Sequence, residues 1–464
     1  MKRQHWHYFL LVILIFALTA CDSTGRRLLS QEEVTATAAK RPTATLKPPP
    51  TEVSDRTSDG EIVFRWRTDP YNQAEIDLYQ GINDLLNEEM AGVHLVYEPS
   101  DKSRYSYLDG LKREIAMDEG PDLFWLPDSD VGDFAARGMI WDLRAFANAD
   151  SGYRDSDFHP GPMYHLTYNP HTGQSGQRLW GLPRDLSTYV LYINVDLIKK
   201  AGAADPRMLA AEGKWDWNTF MQVAHAVSVM GDDIQGYGQN SSWGAYGYWM
   251  YAAGGSFYNP DGTGCGLDSE QALMGLGFQR AIYQDFGVAL PYGEDAATPF
   301  LAGKLGMFLE GRGATKALRN SHLPFLWDVV KLPDGPAGPS NWVFWGAYVV
   351  NRNSKHPKVA YKVLRSLTRS DVQLTMSASD AKIPSRMNND VIETFLTFTP
   401  PYNNLAYYQA LSLNAQTPLP LWHGSWRQYV GVMNMAMQGV LTGQQSVEEH
   451  GAGICNVASQ AFYQ

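Results

Sequence analysis

From Glu61 onward, short apolar runs alternate with stretches in which apolar residues recur every three or four positions. "EIVFRW" (61–66) reads as a strand, and "AEIDLYQGINDLLNEEM" (74–90) as an amphipathic helix with Ile76, Tyr79, Ile82 and Leu86 on one face. "GVHLVYEP" is the next strand, "YLDGLKREIAMDEG" the next helix, and "PDLFWL" the third strand. Strands separated by helices predict βαβ units and a parallel sheet, with ligands gathered at the carboxyl edge. The alternation continues through "TYVLYIN" (strand), "WNTFMQVAHAVSV" (helix), "LGMFLEG" and "WVFWGAYVVN" (strands) and "HPKVAYKVLRSLT" (helix). A helical final third closes with "WRQYVGVMNMAMQGVLTG". No solenoid-type repeat interrupts the pattern.

One segment resists this simple reading. "SWGAYGYWMYAAGG" (242–255) carries Trp243, Tyr246, Tyr248, Trp249 and Tyr251. It reads as core, as an exposed patch, or as a wall of stacking platforms for a flat-faced ligand. Periodicity alone leaves all three open.

The first sixty residues follow a different pattern. Basic "MKRQHWHY" precedes an apolar run, "FLLVILIFALTA" (9–20), too short for a comfortable membrane span of about 20 residues. Residues 1–20 therefore read as an export signal. The run ends in "LTAC", which resembles the bacterial lipoprotein box; that resemblance implies lipidation of Cys21 and anchoring at the outer face of the cytoplasmic membrane. Residues 21–60 are rich in Thr, Ala, Pro and charge and predict a disordered tether with a reach of about 35 Å. Cys265 and Cys455 are the two cysteines left to the folded part. They are able to pair in an oxidising compartment, and spacing does not decide whether they do.

Composition narrows the partners. At 464 residues the chain has room for two or more domains. A formal net charge of −11 argues against nucleic acid and anionic lipid surfaces, leaving the N-terminal lipid as the contact with a membrane. Chemical signatures are absent from the sequence. "HPGPMYH" spaces His159 and His165 six apart without further zinc ligands. "DSDVGD" lacks the spacing and terminal glutamate of a calcium loop, "GTGCG" follows no clear strand, and neither a GxSxG elbow nor a P-loop occurs. No cofactor, no metal and no enzymatic activity are expected. A carboxylate pair of a glycan-degrading enzyme is the alternative that sequence leaves open.

Several phrases, in order, resemble the extracellular solute-binding proteins of ABC importers, in particular the sugar-binding group that includes the maltose-binding proteins. They are "AMDEGPDLFWLPDSDVGDFAARGMIWDL", "WGLPRDLSTYVLYINVDLIKKAGAADP", "AGGSFYNPDGTGCGLDSEQAL", "FLAGKLGMFLEG", the return segment from Phe325 to Leu367, "IPSR" and "VLTGQQSVEE". The resemblance implies an α/β, two-lobed periplasmic-binding-protein fold, with a hinge and interleaved chain crossings near Pro183–Leu186, Trp342 and Pro384. Residues 61–183 and 342–384 would form the first lobe, and 184–341 and 385–464 the second. It further implies a monomer that holds a sugar, expected to be an oligosaccharide, in the interlobe cleft and hands it to ABC permease subunits. Within the same class, a polyamine or a glycerol phosphate is the alternative ligand.

A sugar cleft needs aromatic platforms for C–H faces and planar polar groups for hydroxyls. At the places where this family puts its ligand, the sequence offers Trp66, Arg67 and Asp69 after the first strand and Trp125 and Asp128 after the third. Arg184, Asp185 and Tyr189 lie at the first crossing, Glu310 and Arg312 after "GMFL", and Trp345 in the return strand. Trp422 and Trp426 precede the last long helix. In the aromatic segment, Trp243 is expected to line the cleft, with Tyr248 and Tyr251 in the core.

Overall fold

β1 (Ile62–Thr68), α1 (Gln73–Glu89), β2 (Val93–Pro99), α2 (Tyr107–Ala116) and β3 (Leu123–Pro127) build a parallel sheet in the order β2–β1–β3. These elements come from a computed structural model that describes residues 55–103, 105–240, 243–260, 264–380, 382–412, 415–416 and 426–462. The expected export signal, Cys21, the tether as far as residue 54, and Trp422 lie outside the described residues, as does the side chain of Trp243. The helices start where their side chains allow. Asn72 accepts from the Glu75 amide ahead of α1, and Ser106 from that of Asp109 ahead of α2.

After β3 come α3 (Asp128–Ala136), α4 (Arg144–Ala149), α5 (Pro160–Leu166) and the long β4 (Gly181–Asn194). Next are α6 (Val195–Lys200), α7 (Pro206–Ala211), α8 (Trp217–Ser228), β5 (Gln235–Gln239), α9 (Trp243–Ala252) and α10 (Glu270–Gln284). α11 (Ala297–Leu301), β6 (Leu305–Gly311), α12 (Ala314–Asn320) and β7 (Trp327–Val330) precede the return strand β8 (Asn341–Val350). The chain ends with α13 (Pro357–Leu367), α14 (Ser370–Asp380), α15 (Asn389–Leu396), α16 (Leu405–Ser412), β9 (Ala415–Gln416), α17 (Trp426–Leu441) and α18 (Val447–Phe462).

β4 joins two sheets. Residues Gly181 to Thr188 pair antiparallel with β8, which pairs with β3 and so completes the first sheet. From Tyr189 to Ile193 the same strand pairs with β6, whose other neighbour is the parallel β5. The change of partner falls between Thr188 and Tyr189, and the expected crossing at 183–186 lies on the first-sheet side of it. The β4–β8 register shifts between Pro183 and Asp185, so Arg184 is the extra residue of a bulge. Bulges re-aim side chains next to functional sites, and here one turns the Arg184–Asp185 pair into the region beside the switch.

The buried core runs through both sheets. Phe64, Trp66, Leu86, Leu111 and Leu123 are buried in the first lobe, and Tyr192, Trp215, Phe220, Tyr237 and Trp249 in the second. β4 and β8 are buried along nearly their whole length, with α3, α5, α13 and α16 packed against them, which explains their near-continuous apolar runs. α15 and α16 fasten to the second sheet: the Tyr407 and Tyr192 hydroxyls lie 2.9 Å apart, and Asn403 N donates to Asp328 Oδ1. A disulfide joins Cys265 to Cys455, with Cα atoms 5.4 Å apart. Among the described residues, no helix is long and apolar enough to cross a membrane.

Candidate functional site

The carboxyl ends of β1 and β3 in one lobe and of β5 and β6 in the other turn toward the β4 switch, where a ligand gains access to both lobes. Pro127 pairs with Gly346, so the end of β3 lies against the middle of β8. This register places Trp125, Asp128 and Trp345 together. Trp125 is half-buried, with Tyr107 at 6.1 Å between ring centroids and the Arg184 guanidinium 4.9 Å above its ring. Its indole nitrogen lies on the Gly346 backbone; a Cβ there would stand 2.0 Å from Nε1. Gly346→Ala is therefore expected to push the indole aside, at about 1–3 kcal/mol in stability. A lower unfolding midpoint together with a shifted tryptophan emission would check it; unchanged emission would count against this packing.

Asp128 is the site's unsatisfied acceptor. Its Oδ1 takes the Ser129 amide at 2.7 Å, while Oδ2 is buried with no hydrogen-bond partner among the described residues. Burial pushes its carboxyl up to about 7, opposed by the Ser129 amide, reinforced by the charge of Asp130, and opposed again by the Trp345 amide. The indole nitrogens of Trp125 and Trp345 are likewise buried without partners among the described residues. A ligand bearing hydroxyls would supply donors for the carboxylate and acceptors for the indoles. Trp345 also stacks on His165 at 6.0 Å, and burial drives that imidazole down to about 3, so it stays neutral.

Across the switch, Tyr189 meets Phe344 edge-on at 5.2 Å, and α9 approaches them through Gly244. Any Cβ at Gly244 would lie 2.8 Å from the Phe344 ring, so the helix gets this close because glycine is there. Trp243 is the first residue of that helix. On the neighbouring strand Glu310 accepts from Asn240 Nδ2 at 3.1 Å and from the Gly311 amide at 2.7 Å, while burial raises its carboxyl.

The other residues singled out from sequence are engaged by protein groups. Trp66 is fully buried in the first core and donates to Asn83 Oδ1 at 2.9 Å. Arg67, on the opposite side of β1, is held by Glu98 and Glu114 at 2.8 and 2.6 Å. Asp69 accepts from Ser100 and Lys102 at the end of β1. Arg184 and Asp185 form a buried bidentate pair at 2.9 and 3.1 Å, extended by Arg184 Nη1 donating to the Tyr79 hydroxyl. Arg312 is fully buried between the Phe395 and Tyr407 rings and donates to Asn404. Trp426 belongs to an aromatic core with Phe257, Trp342 and Tyr429. Tyr246, Tyr248 and Trp249 are buried, and Tyr251 is packed between Phe257 and Trp342, so these four rings of "SWGAYGYWMYAAGG" are core.

Sequence reading missed Asn240, His165 and Gly346. The two histidines of "HPGPMYH" take separate roles: His159 caps α5, accepting from the Gly161 amide at 3.2 Å, and His165 stacks on Trp345. Among the described residues no group of three or more His, Cys, Asp or Glu could hold a metal ion.

The pattern of the family "Bacterial extracellular solute-binding protein" matches residues 75–374. A binding protein of Brucella abortus is 23% identical over 391 residues, covering 82% of this chain and 86% of that protein. The galactooligosaccharide-binding protein of Bacillus subtilis is 24% identical over 327 residues, covering 66% and 70%. Among solved structures, the ABC substrate-binding protein of Listeria monocytogenes in complex with cycloalternan superimposes with a TM-score of 0.72 at 18% identity, covering 86% of this chain and 98% of that one. MalE, the sugar-binding protein of Xanthomonas citri, gives 0.70 at 18%, covering 86% and 98%. With two lobes threaded by one switching strand and most of its length matched, the chain belongs to the bacterial extracellular solute-binding protein family.

Proposed function

We propose that this chain is the lipid-anchored substrate-binding component of an ABC importer and that it captures an oligosaccharide between its lobes. The observation that carries the ligand class is the triad of unsatisfied groups at the switch: the Asp128 carboxylate and the Trp125 and Trp345 indole nitrogens. Hydroxyls satisfy both kinds of group, and the half-buried Trp125 ring offers a face for sugar C–H groups. The relatives add support, since one is a galactooligosaccharide-binding protein and another, from Streptococcus pneumoniae, a maltooligosaccharide ABC transporter solute-binding lipoprotein. Ligand residues are proposed in two tiers. Trp125, Asp128, Trp345, Tyr189, Glu310 and Trp243 line the cleft; Arg184 and Asp185 brace it from behind Trp125. Residues 1–20 direct export, Cys21 carries the lipid, and residues up to 60 tether the body to the membrane's outer face.

Calorimetric titration with maltooligosaccharides and galactooligosaccharides, beside a polyamine and a glycerol phosphate, tests the ligand class. Saturable one-to-one binding of an oligosaccharide without product formation is expected. Binding of the polyamine or phosphate alone would replace the sugar reading, and hydrolysis would replace the transport reading. Cys21→Ser is expected to release the protein from the membrane fraction, and retention there would refute the lipid anchor.

A further inference from the structure

Asp130 stands in the first turn of α3, two residues beyond Asp128, with its side chain 8% exposed. Its Oδ2 accepts from Ser129 Oγ at 2.6 Å and from Arg427 Nη2 at 2.9 Å. The two ends of that ion pair belong to different lobes. α3 packs on β3 and β8 of the first sheet, whereas α17, which carries Arg427, packs on α9, α10 and α18 over the second.

The geometry suits a clasp. Trp426, one residue earlier, is buried among Phe257, Trp342 and Tyr429, so the root of the arm is fixed. The Arg427 side chain is 64% exposed, so its tip is held by little besides Asp130. Further along α3, Asp133 is already taken by Lys112 and Arg137 at 2.7 and 2.6 Å and cannot compete for Arg427. An acid withdrawn from water is costly to leave alone, and among the described residues the only other side chain bonded to Asp130 is the neutral Ser129 hydroxyl.

We propose that Arg427 is a positioning residue that closes the cleft: its ion pair with Asp130 forms only when the lobes are together, and it holds them there before and during ligand binding. Ligand affinity then depends on a residue that does not touch the ligand, because a binding-competent state that is less populated binds more weakly in proportion. Since one partner is largely exposed, the bias is modest, about five-fold in the closed-to-open ratio, and sensitive to salt. The affinity arm of the test rests on the proposed oligosaccharide function; the closure arm does not.

X-ray scattering on the unliganded chain from Arg56 onward, which forms a compact unit of its own with the native disulfide, reads closure directly. Arg427→Gln is expected to enlarge the radius of gyration, and Arg427→Lys to retain most of the wild-type value. Adding 1 M NaCl, where screening acts within about 3 Å, should move the wild type toward the glutamine variant and leave that variant unmoved. Identical scattering from all three proteins at both salts, with equal melting temperatures, would overturn the proposal. In parallel, Arg427→Gln is expected to weaken maltotetraose binding by up to about five-fold, and by less the more the unliganded wild type is already closed. A wild type that ignores maltotetraose yet shows the scattering shifts would sustain the clasp and count against that sugar alone.

Discussion

Asp128→Asn is expected to weaken oligosaccharide binding by about 10–100-fold and to erase its dependence on pH near neutrality. The size follows from removing a charged acceptor at a desolvated site, worth about 1.5–3 kcal/mol. The pH dependence follows from burial, which pushes the carboxyl up to about 7, with the Ser129 and Trp345 amides pulling the other way and the Asp130 charge adding to the rise. Below that value the group carries a proton and loses acceptor capacity. Wild-type affinity is therefore expected to rise as pH is raised from about 6 to 8, while the asparagine variant stays flat. Stability should run in the opposite direction. A native value above the unfolded one means that the folded state holds the proton more tightly, so the unliganded protein loses stability as pH rises from about 4 to 7. The variant lacks that loss and should melt higher than wild type at pH 8. Titrations and melts at pH 6 and 8 check both signs. Equal pH profiles for the two proteins would remove Asp128 from the site.

How far the sequence revealed this site depended on how local each signal was. The position of Asp128 and Trp125 at a strand end was legible because a short strand there ends in Pro127 and a helix begins. Trp66 shows the opposite case. β1 alternates between a buried and a half-buried face, and that alternation does not tell which side meets a ligand; the Trp66 side faces Asn83 and Tyr79. Arg312 stands one residue past the end of β6, and charge at such a position suggested the cleft. What covers it are Phe395, Asn404 and Tyr407, about eighty to ninety-five positions further on, and no periodicity reports contacts at that range. Gly346 escaped notice for a related reason: its role appears only once β3 and β8 pair and Trp125 comes to rest on it. The aromatic segment behaved similarly, its rings being claimed by Trp217, Phe257 and Trp342 from both sides.

The largest stability effect is expected from breaking the Cys265–Cys455 disulfide. It closes a loop of 190 residues, for which the chain-entropy argument gives ~5 kcal/mol as an upper figure and about 2–4 kcal/mol as the usual outcome. The bond ties the bridge-forming turn at Tyr258–Cys265 to α18, which packs on α10 and α17. Its loss therefore frees the helical pair that carries Trp426 and Arg427 as well as lowering the melting point of the body. Cys455→Ser is expected to reduce the unfolding midpoint by roughly 2–5 °C. Dithiothreitol should lower the wild type to the same value and leave the variant unchanged. Because the bond lies far from Asp128 in the chain, its removal should affect affinity mainly through closure. The deficit in oligosaccharide binding should then match that of Arg427→Gln, and combining the two changes should add little. A fully additive double variant would show that the disulfide supports the ligand site by a route other than α17, whereas a reductant-insensitive wild type would show that the two cysteines are not bridged.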